Sequence, residues 1–154
     1  MKRVLKIAIL IIITLALFVR FILPTILHKA GLHAPYPESK EYDLKDKKAL
    51  IITTSHDVLN AHGETTGKPT GVAASELTVP YYEFVDAGME VDVASIKGGQ
   101  IPVDPQTLIF LIKTPEDERY LKDEVFQEKV NQSLKIDAID FTQYDAIFMA
   151  GGWG

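Results

Sequence analysis

The residues best suited to chemistry are a pair of glycines that follows an apolar run, Gly151 and Gly152, and a glutamate in a separate segment, Glu76. Tyr144–Gly154 reads YDAIFMAGGWG, so an apolar run leads directly into Gly151 and Gly152. A buried strand enters a tight turn in this way, and backbone N–H groups at such a turn can stabilise a developing oxyanion. Glu76 offers a carboxylate in a segment predicted to be helical. Both features also have a structural interpretation, since glycine permits turns and most helical glutamates are solvated.

A third candidate is a histidine pair in a long polar segment. His56 and His62 lie there with Asp57 and Glu64, and histidines flanked by acids can bind a metal. The pair lacks the spacing of two ligands on one helix, so we interpret both as solvated loop residues and predict no metal site. The sequence contains no cysteine, which excludes disulfides, thiolate metal sites and a cysteine nucleophile within these 154 residues.

Charge divides the chain into two parts. Met1–Ala34 contains five basic residues and no acid, whereas the other 120 residues hold the remaining 11 basic residues and all 21 acidic ones, a net charge of −10. A surface this negative repels phosphate backbones. We therefore expect no nucleic-acid binding.

The N-terminal part is strongly hydrophobic. Ile7–Leu27 spans 21 residues, about 30 Å as a helix, which matches the hydrocarbon core of a bilayer. Its apolar residues surround the helix, which argues against a core helix of a soluble protein. Lys2, Arg3 and Lys6 predict a cytoplasmic N-terminus, with the rest of the chain on the outer side. We predict a single-pass signal anchor over residues 1–29; the alternative is a cleaved signal peptide and secretion, although no small-x-small site follows the apolar run.

The remaining chain alternates between strands and helices. Residues 30–47 carry two prolines and many charges and are predicted to be a linker. Strands are predicted at Ala49–Thr54, Met89–Ser95 and Tyr144–Ala150. The segment Ser55–Gly71 is predicted to be a long loop, a kind of segment that is often functional.

Two helices are predicted between these strands. The first lies within Val72–Gly88 and is broken or kinked by Pro80. The second begins at Thr114, where a cap, a proline and two acids follow one another, and continues to Lys135. Its predicted apolar stripe consists of Leu121, Val125, Phe126, Val130 and Leu134.

The order strand–helix–strand–helix–strand predicts an α/β fold with a doubly wound parallel sheet. About three strands are expected, and three do not complete such a sheet, because central strands need neighbours on both sides. We therefore interpret residues 48–154 as the front part of a larger domain, in either a fragment or a truncated gene product.

Thr70–Pro105 (TGVAASELTVPYYEFVDAGMEVDVASIKGGQIPVDP), together with YDAIFMAGGWG, resembles the ThiJ/PfpI superfamily of class I glutamine amidotransferase-like proteins. The similarity is to the chaperone/glyoxalase III branch, with its T-G-V-x-x-x-E-x-x-x-P pattern and a strand ending in x-G-G-x-G. The resemblance covers residues 48–154 and implies a flavodoxin-like fold.

The resemblance also implies a site. Family members use a cysteine followed by a histidine on a sharp strand–helix turn, a glutamate that hydrogen-bonds the cysteine, and a glycine turn as the oxyanion hole. Glu76 falls on the family glutamate and Gly152 on the oxyanion glycine. Trp153 stands where this branch often has histidine, and the cysteine has no counterpart in this chain.

The function implied by the resemblance belongs to a complete protein. It is that of a cysteine-dependent glyoxalase III, deglycase or hydrolase that acts on small carbonyl or amide substrates without a metal or organic cofactor. Residues 1–154 should be inactive alone, and pairing as a homodimer is expected by analogy. The alternative is a non-catalytic chaperone-like or binding module on the same fold.

Overall fold

A computed structural model describes residues 2–32 and 42–151 of the chain. These residues form two compact units. One is an N-terminal helical unit, which also includes the short segment Ile109–Ile112, and the other is an α/β unit made of the remaining described residues. Half of the predicted linker, residues 33–41, and the candidate site residue Gly152 lie outside the described residues. The predicted domain boundaries therefore stay predictions.

The N-terminal unit is built on one long helix, α1 (Lys2–Leu32). It is 31 residues long, and none of its most apolar stretch is buried within the chain. Regular α-helical turns cover Lys2–Leu17 and Leu23–Leu27, with wider turns after each. By length and composition the helix is able to cross a membrane.

The α/β unit alternates strands and helices as the sequence predicts. In chain order its elements are β1 (Lys48–Thr53), β2 (Val58–Leu59), β3 (Lys68–Pro69), α2 (Ala74–Asp86), β4 (Glu90–Ser95), α3 (Pro115–Tyr120), α4 (Glu124–Asn131), β5 (Leu134–Lys135) and β6 (Ala146–Met149). The α/β class is confirmed.

One parallel sheet forms the centre of this unit. Its strand order is β5-β4-β1-β6, and every neighbouring pair is parallel. Ile51 of β1 is aligned with Val93 of β4 on one side and with Phe148 of β6 on the other. The expected count of three strands is corrected to four, because Leu134 and Lys135 extend alongside the end of β4. The parallel sheet is consistent with the flavodoxin-like fold.

The second predicted helix is wrong in its length and its apolar face. The helix begins at the Thr114 cap as expected, with Thr114 and Asp117 forming a reciprocal capping box. It ends at Tyr120, because Asp123 caps a new helix by accepting a hydrogen bond from the backbone N–H of Phe126. Of the predicted stripe, Phe126 and Val130 are buried, whereas the side chains of Leu121, Val125 and Leu134 are exposed.

Two further expectations are corrected. Helix α2 runs through Pro80 and does not end there, because the buried residues on either side of the proline, Leu77 and Tyr81, hold both halves of the helix in the core. The segment predicted as an unbroken loop, Ser55–Gly71, contains the short antiparallel hairpin of β2 and β3. Each strand of this hairpin is only two residues long, which is too short to show a periodic sequence pattern.

Apolar side chains from α2 and α4 cover one face of the sheet. Leu77, Tyr81 and Phe126 pack with Ile51 and Val93 in a single cluster. The rings of Tyr81 and Phe126 are stacked, with Tyr82 and Tyr120 edge-on to Phe126. The aromatic residues of α2 are therefore core residues, and their burial fixes the helix on the sheet.

Candidate active site

Glu76 and Gly151 meet at the carboxyl end of the parallel sheet. The backbone N–H of Gly151, two residues beyond β6, donates a hydrogen bond of 2.8 Å to Oε2 of Glu76. Both residues are exposed, and Glu76 lies in the first turn of α2, where the helix dipole favours a negative charge. Ligands of open α/β proteins bind at this edge of the sheet. A carboxylate and the backbone N–H of a glycine are thus brought together at the edge of the sheet where small molecules bind in this class of fold.

Glu76 takes its position from the way α2 begins. Ala73 precedes the helix and offers no side-chain cap, so the hydroxyl of Thr107 caps it instead by accepting a hydrogen bond from the N–H of Ala74 at 2.9 Å. The Thr107 hydroxyl in turn donates to the carbonyl oxygen of Asp104 at 2.6 Å. A turn distant in sequence therefore holds the helix end that carries Glu76.

The chain entering α2 is held by a close backbone approach. Val72 exchanges backbone hydrogen bonds with the segment around Val103, donating to Pro102 and accepting from Asp104, each at 2.9 Å. A Cβ atom at Gly71 would lie 2.0 Å from the carbonyl oxygen of Pro102. No side chain fits there, so this position requires glycine.

Gly151 takes its position from β6, which is fixed to β1 at both ends. At the carboxyl end, the N–H of Ala150 donates to the carbonyl oxygen of Ile52 at 2.9 Å. At the other end, the N–H of Asp145 donates to the carbonyl oxygen of Lys48, and the Asp145 carboxylate accepts from the Lys48 N–H. The strand can shift little along β1 without losing these bonds.

A charged cluster strengthens the amino-terminal end of the sheet. Lys48 forms ion pairs with Glu90 and Asp92 at 3.1 and 2.9 Å, and the Tyr144 hydroxyl donates to Asp92 at 2.7 Å. Burial alone would raise the pKa of Asp92, but the hydrogen bonds from Lys48 and Tyr144 outweigh it and hold that pKa below its usual value. Burial and the bond to Asp92 raise the pKa of Tyr144 to about 12.

Sequence reasoning missed one polar residue beside the site. Thr53 ends β1, its side chain is 3% exposed, and its hydroxyl has no hydrogen-bond partner among the described residues. Nothing in the sequence marks it, because a threonine at the end of an apolar run is also a normal strand residue.

The remaining candidates are not part of this arrangement. His56 and His62 are exposed, and within residues 2–32 and 42–151 no group of three or more histidine, cysteine, aspartate or glutamate side chains is placed to hold a metal. Gly152 and Trp153 lie outside the described residues. The predicted oxyanion role of Gly152 therefore stays a prediction, although its neighbour Gly151 lies at the Glu76 carboxylate.

Solved structures share this fold. Rapid Encystment Protein 24 KDa (REP24) of Francisella tularensis, a ThiJ/PfpI-family protein, is 35% identical, with a TM-score of 0.60 over 69% of this chain and 44% of that one. Glyoxalase III from Candida albicans is 25% identical, with a TM-score of 0.58 over the same shares of the two chains. No family model matches the chain, and neither does any curated protein.

These similarities define the class of the α/β unit. It has the ThiJ/PfpI-like fold, and glyoxalase III is among its structural relatives. The resemblance inferred from Thr70–Pro105 and from the glycine turn is thereby confirmed. The chain spans less than half the length of the structures that it matches.

Proposed function

We propose that this chain contributes the acid–base group and part of the oxyanion site to a membrane-anchored, glyoxalase III-like enzyme for small carbonyl compounds. The observation that carries the proposal is the 2.8 Å hydrogen bond between the Gly151 N–H and Glu76 Oε2. It supports a shared site for the carboxylate and the glycine turn. The nucleophile is a cysteine outside these 154 residues, since the sequence has none.

The proposed chemistry is thiol addition to an aldehyde. The sulfur forms a bond to the carbonyl carbon, the carbon–oxygen π bond breaks, and the oxygen receives the electron pair. Glu76 accepts the thiol proton and returns a proton to the oxygen, which gives a neutral thiohemiacetal. Backbone N–H groups of the turn, including that of Gly152, stabilise the transient negative charge. The Gly151 N–H fixes one carboxylate oxygen of Glu76 and leaves the other for the thiol.

Membrane anchoring is the second part of the proposal. The apolar length of Ile7–Leu27 within α1 supports a single-pass anchor, and Lys2, Arg3 and Lys6 support a cytoplasmic N-terminus with the α/β unit on the outer side. Secretion after cleavage is the alternative outcome.

A non-catalytic role is the second candidate function. The observation that favours it is the complete lack of cysteine in the sequence. On this alternative the unit is a tethered binding or chaperone-like module that has the fold without the chemistry. It would slow the aggregation of an unfolded client protein and would leave methylglyoxal unchanged.

The test is the conversion of methylglyoxal to lactate by the product of the complete reading frame, produced in membranes. We expect turnover, its loss in the variant Glu76→Gln, and normal turnover in Glu83→Gln, because Glu83 is an exposed carboxylate on the same helix. A complete reading frame without a cysteine–histidine pair, or turnover that survives Glu76→Gln, contradicts the enzyme proposal. Suppressed client aggregation without turnover would favour the alternative.

A further inference from the structure

The apolar segment Ile109–Ile112 belongs to the N-terminal helical unit, although it lies far along the chain from α1. It reads IFLI and carries no charge. Ile109 and Phe110 are 47% and 40% exposed, and none of the four residues is buried. Surface loops are normally polar, so four consecutive apolar residues outside the core indicate an interaction surface.

The segment contacts α1 at Arg20. The Arg20 guanidinium lies 5.2 Å from the centre of the Phe110 ring and 5.3 Å from that of Phe21. Residues 2–18 of α1 are all exposed, and partial burial begins directly before Arg20. The half-buried residues follow at a spacing of four, which places them on one face of the helix: Val19, Leu23 and Leu27. The contact therefore lies where the uncovered part of α1 ends.

Arg20 indicates the depth of this contact in a bilayer. It is the one charged residue of the proposed span Ile7–Leu27, and it lies nearer to the C-terminal end of that span. A long basic side chain in such a position reaches the headgroups while its aliphatic stem stays in lipid. Aromatic residues are enriched at the same level. On the proposed span, Phe110 therefore lies at the boundary between the headgroups and the acyl chains.

The shape of the segment suits shallow insertion. The N–H of Ile112 donates to the carbonyl oxygen of Ile109 at 3.1 Å, which closes the segment as a turn. A turn can lower its side chains into lipid while its backbone stays at the headgroup level, where polar groups remain hydrated. The next residue, Lys113, pairs with Glu118 at 3.0 Å, so the first charge beside the segment is already neutralised.

We propose that Ile109–Ile112 is a second membrane contact, which enters the acyl-chain region of a phospholipid bilayer beside α1, in the leaflet that holds Arg20. The inference rests on the membrane anchor of the proposed function and is independent of the chemistry proposed for Glu76. Transfer of exposed isoleucine, leucine and phenylalanine side chains from water to lipid is favourable. The acidic residues that dominate the chain after Ala34 repel anionic headgroups, so apolar contact provides the affinity.

The first test measures the depth of position 110. The chain has no native cysteine, so an NBD fluorophore can be attached at Phe110→Cys in the whole chain, reconstituted in phosphatidylcholine vesicles. Lipids with a nitroxide on the acyl chain should quench this label about as strongly as a label at Leu15→Cys, within the apolar stretch of α1. The matched control is Phe141→Cys, because Phe141 is a phenylalanine of similar exposure, 42%, in the α/β unit. It should keep its emission.

The three labels separate the possible failures. Quenching at Leu15→Cys but not at Phe110→Cys overturns this inference and leaves the membrane anchor standing. Quenching at neither position overturns both. Equal quenching at Phe141→Cys also overturns the inference, since exposed side chains would then behave alike wherever they lie. A Phe110→Cys label that is shielded from aqueous iodide but not quenched by the nitroxide lipids indicates a protein partner, and this too overturns the inference.

The second test asks whether apolar side chains hold the segment in lipid. With the label at Ile109→Cys, the additional change Phe110→Asp introduces a charge that lipid disfavours, so quenching should fall roughly 3- to 10-fold. The control Phe110→Leu should keep the quenching, because leucine enters lipid about as readily as phenylalanine. Unchanged quenching in Phe110→Asp overturns the inference.

Discussion

The Oε2 atom of Glu76 accepts a hydrogen bond of 2.8 Å from the backbone N–H of Gly151, a residue 75 positions away in sequence. Glu76 lies in the first turn of α2, and Gly151 lies two residues beyond β6. Neither element alone defines a site, since helical glutamates and glycine turns are common. Their contact brings a carboxylate to a backbone donor at the edge of the sheet where open α/β proteins bind their ligands.

Removing the Glu76 carboxylate should free the Gly151 amide. In Glu76→Ala we expect hydrogen exchange at Gly151 to rise roughly 3- to 10-fold, because the N–H loses its one acceptor. Glu76→Gln should show a smaller rise, since the amide oxygen can still accept. The measurement is amide exchange by NMR on the whole chain in detergent micelles.

The control for this experiment is Glu83→Ala, which alters an exposed residue on the same helix. It should leave exchange at Gly151 unchanged. Equal exchange in the wild type and in Glu76→Ala would mean that the contact does not persist in solution.

Gly71→Ala should destabilise the region that carries Glu76. The added Cβ would lie 2.0 Å from the carbonyl oxygen of Pro102, and backbone cannot move aside as a flexible side chain can. We expect a loss of about 2–4 kcal/mol in the free energy of unfolding, measured by urea denaturation. Gly63→Ala is the control, because a Cβ added there would meet no atom within 4 Å, and only its φ of +82° opposes the change. The control should cost about 1–2 kcal/mol, and equal losses would contradict the steric explanation.

Asp92→Asn should lower stability at neutral pH and matter little in acid. The change leaves the Lys48 ammonium without its closest carboxylate and weakens the bond from Tyr144, a loss of roughly 1–3 kcal/mol. Folding lowers the pKa of Asp92. Its contribution to the free energy of unfolding is therefore complete above the pKa that it has in the unfolded chain, near pH 4. That contribution disappears as the pH falls through the lower pKa of the folded state.

Thermal melting of the wild type and of Asp92→Asn from pH 7 to pH 2 tests this sign. The difference in Tm should be constant down to about pH 4 and should then shrink. A difference that keeps its size at pH 2 would show that the side chain acts through packing and not through charge.

A charge in the middle of α1 should prevent stable membrane insertion. The wild-type chain is expected to sediment with membranes and to resist extraction by alkaline carbonate. Leu15→Asp places a carboxylate in the apolar stretch at a cost of about 2.5–3.5 kcal/mol and should increase the extracted fraction, whereas Leu15→Ala should not. Complete extraction of the wild type would contradict the anchor.

Three of the four strands described in the sheet, β1, β4 and β6, were predictable because they are short apolar runs that contain β-branched residues. The strand predicted at Ala49–Thr54 is found at Lys48–Thr53, and the one predicted at Met89–Ser95 is found at Glu90–Ser95. The division of the second helix was not predictable from periodicity. It depends on Asp123, which caps α4 and also accepts a hydrogen bond from the distant Tyr82 hydroxyl.

The site was only partly predictable. The resemblance pointed to Glu76 and to the glycine turn, and the structure joins Glu76 to Gly151. The support from Thr107 and Asp104 was missed because it comes from tertiary contacts, which leave no local pattern. Thr53 was missed for a different reason: a hydroxyl that lacks a partner is a property of its surroundings.

The cluster of Lys48, Asp92 and Tyr144 has a consequence for strand alignment. Sliding β6 along β1 by two residues, about 6.6 Å, would return every apolar side chain to its original face, so hydrophobic packing alone opposes such a slip weakly. The same slip would pull Tyr144 away from Asp92 and would carry Gly151 out of reach of Glu76. The bond between Tyr144 and the charged Asp92 at the amino-terminal end of the sheet thus favours one alignment of β6 on β1. The contact between Gly151 and Glu76 at the opposite end depends on that alignment.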